Sequence, residues 1–423
     1  MKLPHILFLA GSGVGGTEKC ATIFAVSLSQ LGYHVSFAAE PGPRTASFAN
    51  EGITLVSPQN IKRSMGDILG NLKPDVIYQH VPGYPSDNPV YATLASLGVH
   101  KPKLIETNVF GQFRDPLGLK MVDYRMFVSS ASATQAFLRV GRYLNRDTLG
   151  SNTVLYNPVP IPAKQMSHEE RAAFRQNIGI ANNDILFLRI GRPGHKWCLW
   201  EFEAFKTIHA NIPAARLVLM EPPGIIQQAI LKSNISSHVK CLKLSDNFQW
   251  IENLNQAADV SIHASAWGES FGYTIAEAMA AGVPVITKST PWGDNAQVEL
   301  VENGETGFVC LSTQEMARRG VDLAKNPELR QKMGEKGLEQ IRQLCDPATE
   351  TSVLEDVISL VLGGVKSSRL LQREKHLCAF ASSFNAREYC FSEPPRSRPM
   401  EATKAYAFLV YKLIRAAIGR RIT

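Results

Sequence analysis

The order strand, loop, helix, strand is written into residues 259–285, and a chain that holds such a unit has few folds open to it. Asp259-Val-Ser-Ile-His-Ala264 is apolar enough to be buried on both faces of a parallel sheet. A loop follows from Ser265 to Ser270. Phe271 to Ala281 then carries Ile275, Ala278 and Met279 at helical spacing, with Gly282 placed to stop the helix and Pro284 just inside the next strand. In such units a ligand lies beyond the carboxyl ends of the strands, where N–H groups at a helix N-terminus favour a phosphate. Gly272 lets that backbone come close. Glu269 sits in the loop and Glu277 about a turn and a half into the helix, at ~1.5 Å rise per residue.

The same alternation runs through the chain. Strands are expected at 6–10, 34–39, 53–56, 76–79, 103–106 and 126–129, with a helix after Gly16. Tyr156-Asn-Pro-Val-Pro-Ile-Pro162 then breaks the pattern as a stiff, proline-rich connector. A second series follows at 185–190, 217–220, 239–242, 260–264 and 285–287. At 423 residues the chain is too long for one core of usual size. The expected architecture is α/β: two Rossmann-like, doubly wound domains facing a central cleft. Residues 1–160 form the first and 161–345 the second, a helix over 346–365 returns to the first, and 366–423 form a basic tail.

Composition bounds the class. With 44% hydrophobic and 20% charged residues the chain is ordinary for a globular protein. No segment offers the ~20 apolar residues a membrane span needs. Leu3 to Ala10 leads into a glycine-rich loop and a helix instead of a small-residue cleavage site, so it reads as a first strand. Seven cysteines, an odd number without a Cys-x-x-Cys, fit neither a disulfide framework nor a zinc site, and a cytoplasmic location is expected. Residues 366–423 hold 12 Lys and Arg against 4 Asp and Glu; subtracted from the whole-chain 45 and 38, this leaves 33 against 34. The basic balance therefore belongs to the tail, and no nucleic-acid partner is expected. In the tail, Glu401 to Ile418 places Lys404, Lys412 and Arg415 on one side of a helix, a pattern shared by helices on an anionic membrane surface and by terminal helices docked on a body with their basic face in water.

The run Trp-Gly-Glu-Ser-Phe-Gly-Tyr-Thr-Ile-Ala-Glu-Ala-Met-Ala-Ala-Gly-Val-Pro-Val, residues 267–285, resembles the glutamate, seven residues, glutamate signature of retaining glycosyltransferases of the GT-B fold, in particular of family 4, which uses nucleotide sugars. Two glutamates eight apart also occur on solvated helices; the Ser-Phe-Gly, Ala-Met-Ala and Gly-Val-Pro-Val around them carry the likeness. The resemblance implies that Glu269 contacts the donor sugar, that Ser270, Phe271, Gly272 and Thr274 serve the sugar and diphosphate, and that Glu277 binds the ribose. Gly191-Arg-Pro-Gly-His-Lys196 closes a strand, and Arg192 and Lys196 suit the charge that builds on a departing diphosphate. The spacing is that of the family, although Trp197 stands where the family has glycine. Asn303-Gly304-Glu-Thr-Gly307 resembles the turn that follows the donor site, and Asp294 and Asn295 are candidate sugar contacts.

Gly11-Ser-Gly-Val-Gly-Gly16 matches the G-x-G-x-x-G dinucleotide fingerprint, with Glu40 ending the second strand, so an NAD-linked oxidoreductase is a rival reading. Extended through Gly15-Gly16-Thr17-Glu18, the loop is closer to the Gly-Gly-x-Glu loop of family 4. Many family members place a histidine after the fifth strand, whereas this chain reads Leu104-Ile-Glu-Thr-Asn108 there. Glu106, Asn108 and His80 are the candidates in its place. The expectation is a retaining, metal-independent hexosyltransferase without a cofactor, moving sugar from a nucleoside diphosphate sugar to a hydroxyl acceptor. That acceptor is a glycan or lipid-linked glycan in cell-surface polysaccharide synthesis, met at the cytoplasmic face of the membrane. A nucleotide-sugar epimerase of the same shape and a catalytically idle binding module stand as alternatives.

Overall fold

The computed structural model describes residues 3–382, apart from 12, 14, 83–88, 98–100, 113–115, 141–148, 195 and 291–292. It divides into two compact units: Met1–Pro158 with Pro347–Phe384, and the stretch Val159–Asp346.

The first unit is built on seven strands: β1 His5–Leu9, β2 His34–Ala38, β3 Thr54–Val56, β4 Val76–Val81, β5 Lys103–Asn108, β6 Tyr124–Phe127 and β7 Asn152–Val154. Their order is β3-β2-β1-β4-β5-β6-β7, and every pairing is parallel. Ile6, Leu7 and Phe8 are fully buried, as are Val76, Ile77 and Leu104, which is what continuous apolar strands in a sheet covered on both faces require. The helix Gly16–Gln30 follows β1 directly.

Two C-terminal helices, Pro347–Val361 and Ser368–Ser382, belong to this unit. Glu350, with no exposed surface, accepts the backbone N–H of Tyr156 at 2.8 Å and pairs with Arg373. Leu370 and Leu377 are buried where the second helix meets the helix Ser130–Val140 and β7. Residues 368–382, read from sequence as the start of a basic tail, are thus a helix of the first unit. The amphipathic segment 401–418 lies outside the described residues. Among those described, no helix is long and apolar enough to cross a membrane.

The second unit holds β8 Ile185–Ile190, β9 Ala215–Met220, β10 Val239–Leu242, β11 Val260–His263, β12 Val285–Lys288 and β13 Gly307–Cys310, in the order β10-β9-β8-β11-β12-β13. All five pairings are parallel. From β8 the chain winds outward to β9 and β10, then returns to place β11 on the other side. The strand order therefore reverses between β8 and β11, and the crevice beyond their carboxyl ends is where open α/β sheets bind ligands. Local signals set the helices around it. Ser167 and Glu170 form a reciprocal cap on the helix His168–Asn177, and Asn326 caps the helix Pro327–Cys345, which opens on a proline. The core beneath is formed by residues such as Phe187, Phe205, Leu217, Val260 and Ile262.

Candidate active site

The loops that leave β8 and β11 carry the two most specific sequence motifs, so the strand reversal brings them together. Lys196 Nζ donates to Glu269 Oε2 at 2.6 Å. The two loops are also joined through backbone, Ala266 N–H donating to the Lys196 carbonyl at 2.7 Å. Glu269 is further held by its own N–H, which donates to Gln297 Oε1 at 3.0 Å, and by its carbonyl, which accepts from Ala296. Its second carboxylate oxygen, Oε1, accepts from His263 Nε2 at 3.0 Å.

Burial by itself would raise the Glu269 carboxyl; the Lys196 ammonium and the His263 hydrogen bond outweigh it and hold the group well below the usual carboxylate range. His263 is pushed down to about 4 by burial and then by the Arg189 guanidinium, against the opposing pull of Glu269. A neutral imidazole facing an ionised carboxylate must offer it the Nε2–H. Nδ1 is then an acceptor, and the Thr274 hydroxyl, 3.2 Å away, donates to it. Nothing in the sequence motifs singles out His263. Its one signal is its place as the last residue of the strand before the glutamate loop.

Gly272 caps the helix Tyr273–Ala280 at φ +102, a conformation open to glycine and costly for other residues, and no side chain caps the helix N-terminus. Phe271 is 3% exposed with its ring edge-on to Tyr273, and Ser270 is also buried. Glu277 is half-buried on the same helix. Arg192 is exposed, and its carbonyl accepts the Trp197 indole N–H at 2.8 Å. Trp197 fills a core position below and stacks on Arg189, whose guanidinium carbon lies 4.6 Å from the ring centroid and whose Nε donates to the buried Glu201.

The two candidate sugar contacts beyond β12 have different surroundings. Asn295 is 1% exposed and spends its amide inside the loop: Oδ1 accepts from Thr290 N–H at 2.7 Å and from Gln297 Nε2, and Nδ2 donates to Ser289. Asp294 is half-buried, and its backbone meets the glutamate loop by donating to the Trp267 carbonyl at 2.9 Å. Gly268, at φ +76, is required there, because a Cβ would lie 1.5 Å from the Asp294 carbonyl oxygen.

In the first unit, Gly15 caps the helix Gly16–Gln30 after β1. The Glu18 side chain lies over the loop, with Oε1 3.4 Å from where a Cβ of Gly11 would stand. Glu40, just after β2, accepts the Ser57 hydroxyl at 3.1 Å. Glu106 is 2% exposed and bonded to Arg125 at 2.7 Å and Tyr91 at 2.8 Å. Asn108 closes the following turn by donating to the Gln112 carbonyl at 2.7 Å. Both side chains hold the sheet end together. His80 differs: Nε2 is 3.3 Å from the Tyr78 hydroxyl, Nδ1 has no hydrogen-bond partner among the described residues, and burial pushes its imidazole down to about 3.

Residues 170–340 match the family model described as glycosyl transferases group 1. The trehalose synthase of Pyrococcus horikoshii is 28% identical over 151 residues, 33% of this chain and 35% of that protein. The N-acetyl-alpha-D-glucosaminyl L-malate synthase of Bacillus anthracis is 28% identical over 172 residues, 40% of this chain and 43% of that protein. The chain thus spans less than half the length of these curated relatives. HepE of Anabaena, solved in complex with UDP-glucose, shares the fold with a TM-score of 0.67 at 19% identity, covering 84% of this chain and 100% of that one. The two parallel sheets are those of the GT-B fold.

Proposed function

We propose, from a chain whose residues 170–340 match the glycosyl transferases group 1 family model, that the protein is a retaining, metal-independent glycosyltransferase that moves a sugar from a nucleoside diphosphate sugar to a hydroxyl acceptor. The observation that carries this reading is the Lys196–Glu269 pair, 2.6 Å apart at the strand reversal beside the helix Tyr273–Ala280, whose N-terminus no side chain caps. The diphosphate is received by that helix N-terminus, with Arg192 and Lys196 supplying positive charge. Glu269 orients the donor sugar and Glu277 the ribose. The bond between the anomeric carbon and the diphosphate oxygen breaks while the acceptor oxygen bonds to the same face. The acceptor's proton passes to the departing phosphate oxygen.

UDP is the first nucleotide to test, since the Anabaena relative of the fold was solved with UDP-glucose. Gly15, Gly16 and His80 are proposed as ligand contacts of the first unit. A glycan or lipid-linked glycan for the cell surface is the proposed acceptor, with the segment 401–418 resting on the cytoplasmic membrane face.

The test is incubation with a panel of UDP- and GDP-sugars, with and without acceptor glycans, in the presence of a chelator, following nucleotide release and anomeric configuration. Lys196→Ala is expected to cut turnover by ~10² or more, and Glu277→Ala to weaken nucleotide binding. Unchanged transfer in both variants sinks the site assignment. Conversion of donor to an isomer without acceptor would make the protein an epimerase instead.

A further inference from the structure

Four side chains on four pieces of the second unit form one line of contacts. Thr274, in the first turn of the helix Tyr273–Ala280, reaches His263 Nδ1 at 3.2 Å; His263, at the end of β11, reaches Glu269 Oε1 at 3.0 Å; and Glu269 takes Lys196, from the loop after β8, at 2.6 Å. We infer that His263 is a positioning residue for sugar transfer: held by Thr274 on the donor helix, it fixes the Glu269 carboxylate and through it the Lys196 ammonium, so that the four side chains act as a unit. The inference rests on the reading of the crevice as a transferase site and adds to it a residue that neither the glutamate signature nor the Gly-Arg…Lys motif contains.

The physical reason is directional. A carboxylate beside a long, flexible ammonium stem can rotate about its last torsion and carry the ammonium with it. Glu269 has its backbone N–H anchored to Gln297 and its carbonyl to Ala296, which fixes the main chain. Its Oε1 is fixed by His263. The imidazole is 4% exposed at the end of a strand whose four side chains are all buried, and the Thr274 hydroxyl gives it a single tautomer. The charged groups that face it are Arg189 on β8, Lys196 and Glu269. Placement of reacting groups to a fraction of an ångström is worth ~10²-fold in rate where a misplaced group is otherwise intact.

The inference separates from a merely structural role by which kinetic constant moves and by whether losses add. In His263→Leu, turnover is expected to fall about tenfold to thirtyfold while the nucleotide dissociation constant changes less than about threefold. In a Lys196→Ala background the same replacement should cost less than about threefold, because the ammonium it positions is gone. Should His263→Leu fold poorly, Thr274→Val breaks the line from the other end and Thr274→Ser should restore it. Equal losses in both backgrounds, or full turnover in both His263→Leu and Thr274→Val, would overturn the inference.

A second readout needs no transfer. Nitrogen chemical shifts of the His263 ring at pH 7 should report the Nε2–H tautomer in the unaltered protein and a mixture in Thr274→Val. An imidazolium, or no response to Thr274→Val, would overturn the line of contacts itself. If the unaltered protein transfers no sugar, the function proposed above falls, and the tautomer measurement still decides whether the line of contacts exists.

Discussion

His263 lies in a strand that buries all four of its side chains, and its ring faces two cations and one carboxylate. Its folded pKa of about 4 lies below the value of 6.5 for an unperturbed histidine. From pH ~6.5 downward the unfolded chain takes up a proton that the folded one refuses until about 4. The His263 contribution to stability should therefore be complete above pH ~6.5, fall by up to about 1.4 kcal/mol per pH unit across that window, and level off below it. Urea midpoints of the second unit at pH 7, 6 and 5 measure this, and His263→Gln should flatten the slope; an unchanged slope would remove His263 from the account. Trp197 is the other residue on which the site depends. It stands where the family resemblance has glycine, and the structure shows it plugging the core, stacking on Arg189 and tying down Arg192. Trp197→Gly should cost ~3–5 kcal/mol, the range for emptying a buried aromatic position. A loss below 1 kcal/mol in a denaturant titration would mean the loop repacks without it.

Among the elements, the helix Tyr273–Ala280 begins on a glycine whose φ of +102 excludes an ordinary side chain, although the space around it does not: a Cβ would find its nearest neighbours at 3.4 to 3.5 Å. Gly272→Ala should therefore cost only backbone strain, ~1–2 kcal/mol, or roughly 2–8 °C in the melting temperature of a unit this size. No shift on calorimetry would show that the helix start relaxes freely. This helix and the strands beside it were legible in sequence because buried parallel strands are long apolar runs and glycines punctuate them. The three-residue edge strand β7 shows no periodicity and went unread. Strand β6 ends at Phe127, earlier than the apolar run suggests, because Ser129 accepts the Ser132 N–H and starts a helix. Sequence also marked Lys196 and Glu269, each inside its own short motif, although the contact between them spans 73 positions. It missed His263 and Gln297, whose roles come from neighbours 6 and 28 positions away. It offered Asn295, Glu106 and Asn108 as ligand groups, and in the structure each side chain bonds within the fold, Asn295 to Thr290, Glu106 to Arg125 and Asn108 to Gln112.

Across the whole molecule, the chain passes from the first unit to the second at Pro158 and back at Asp346, and the returning helices complete the first unit. Tyr156 is where they fasten. Its N–H donates to Glu350, its hydroxyl lies 2.8 Å from Ser130 Oγ and 3.3 Å from His376 Nε2, and the Arg373 guanidinium stands 4.9 Å from its ring centroid. Glu350 therefore serves two donors from a position without solvent, and removing it strands a guanidinium that is 14% exposed. Breaking a buried pair from one side costs ~3–5 kcal/mol. Each unit has its own sheet, so that cost should fall on the first alone. In Glu350→Ala, hydrogen exchange should rise together in β1 to β7 and in the helices of 347–382, while β8 to β13 keep their protection. Glu350→Gln, which keeps an acceptor for Tyr156, should show a smaller rise in the same peptides. Equal acceleration in both sheets would mean that the C-terminal helices stabilise the molecule as one body, and protection unchanged everywhere would mean that water replaces the lost carboxylate at little cost.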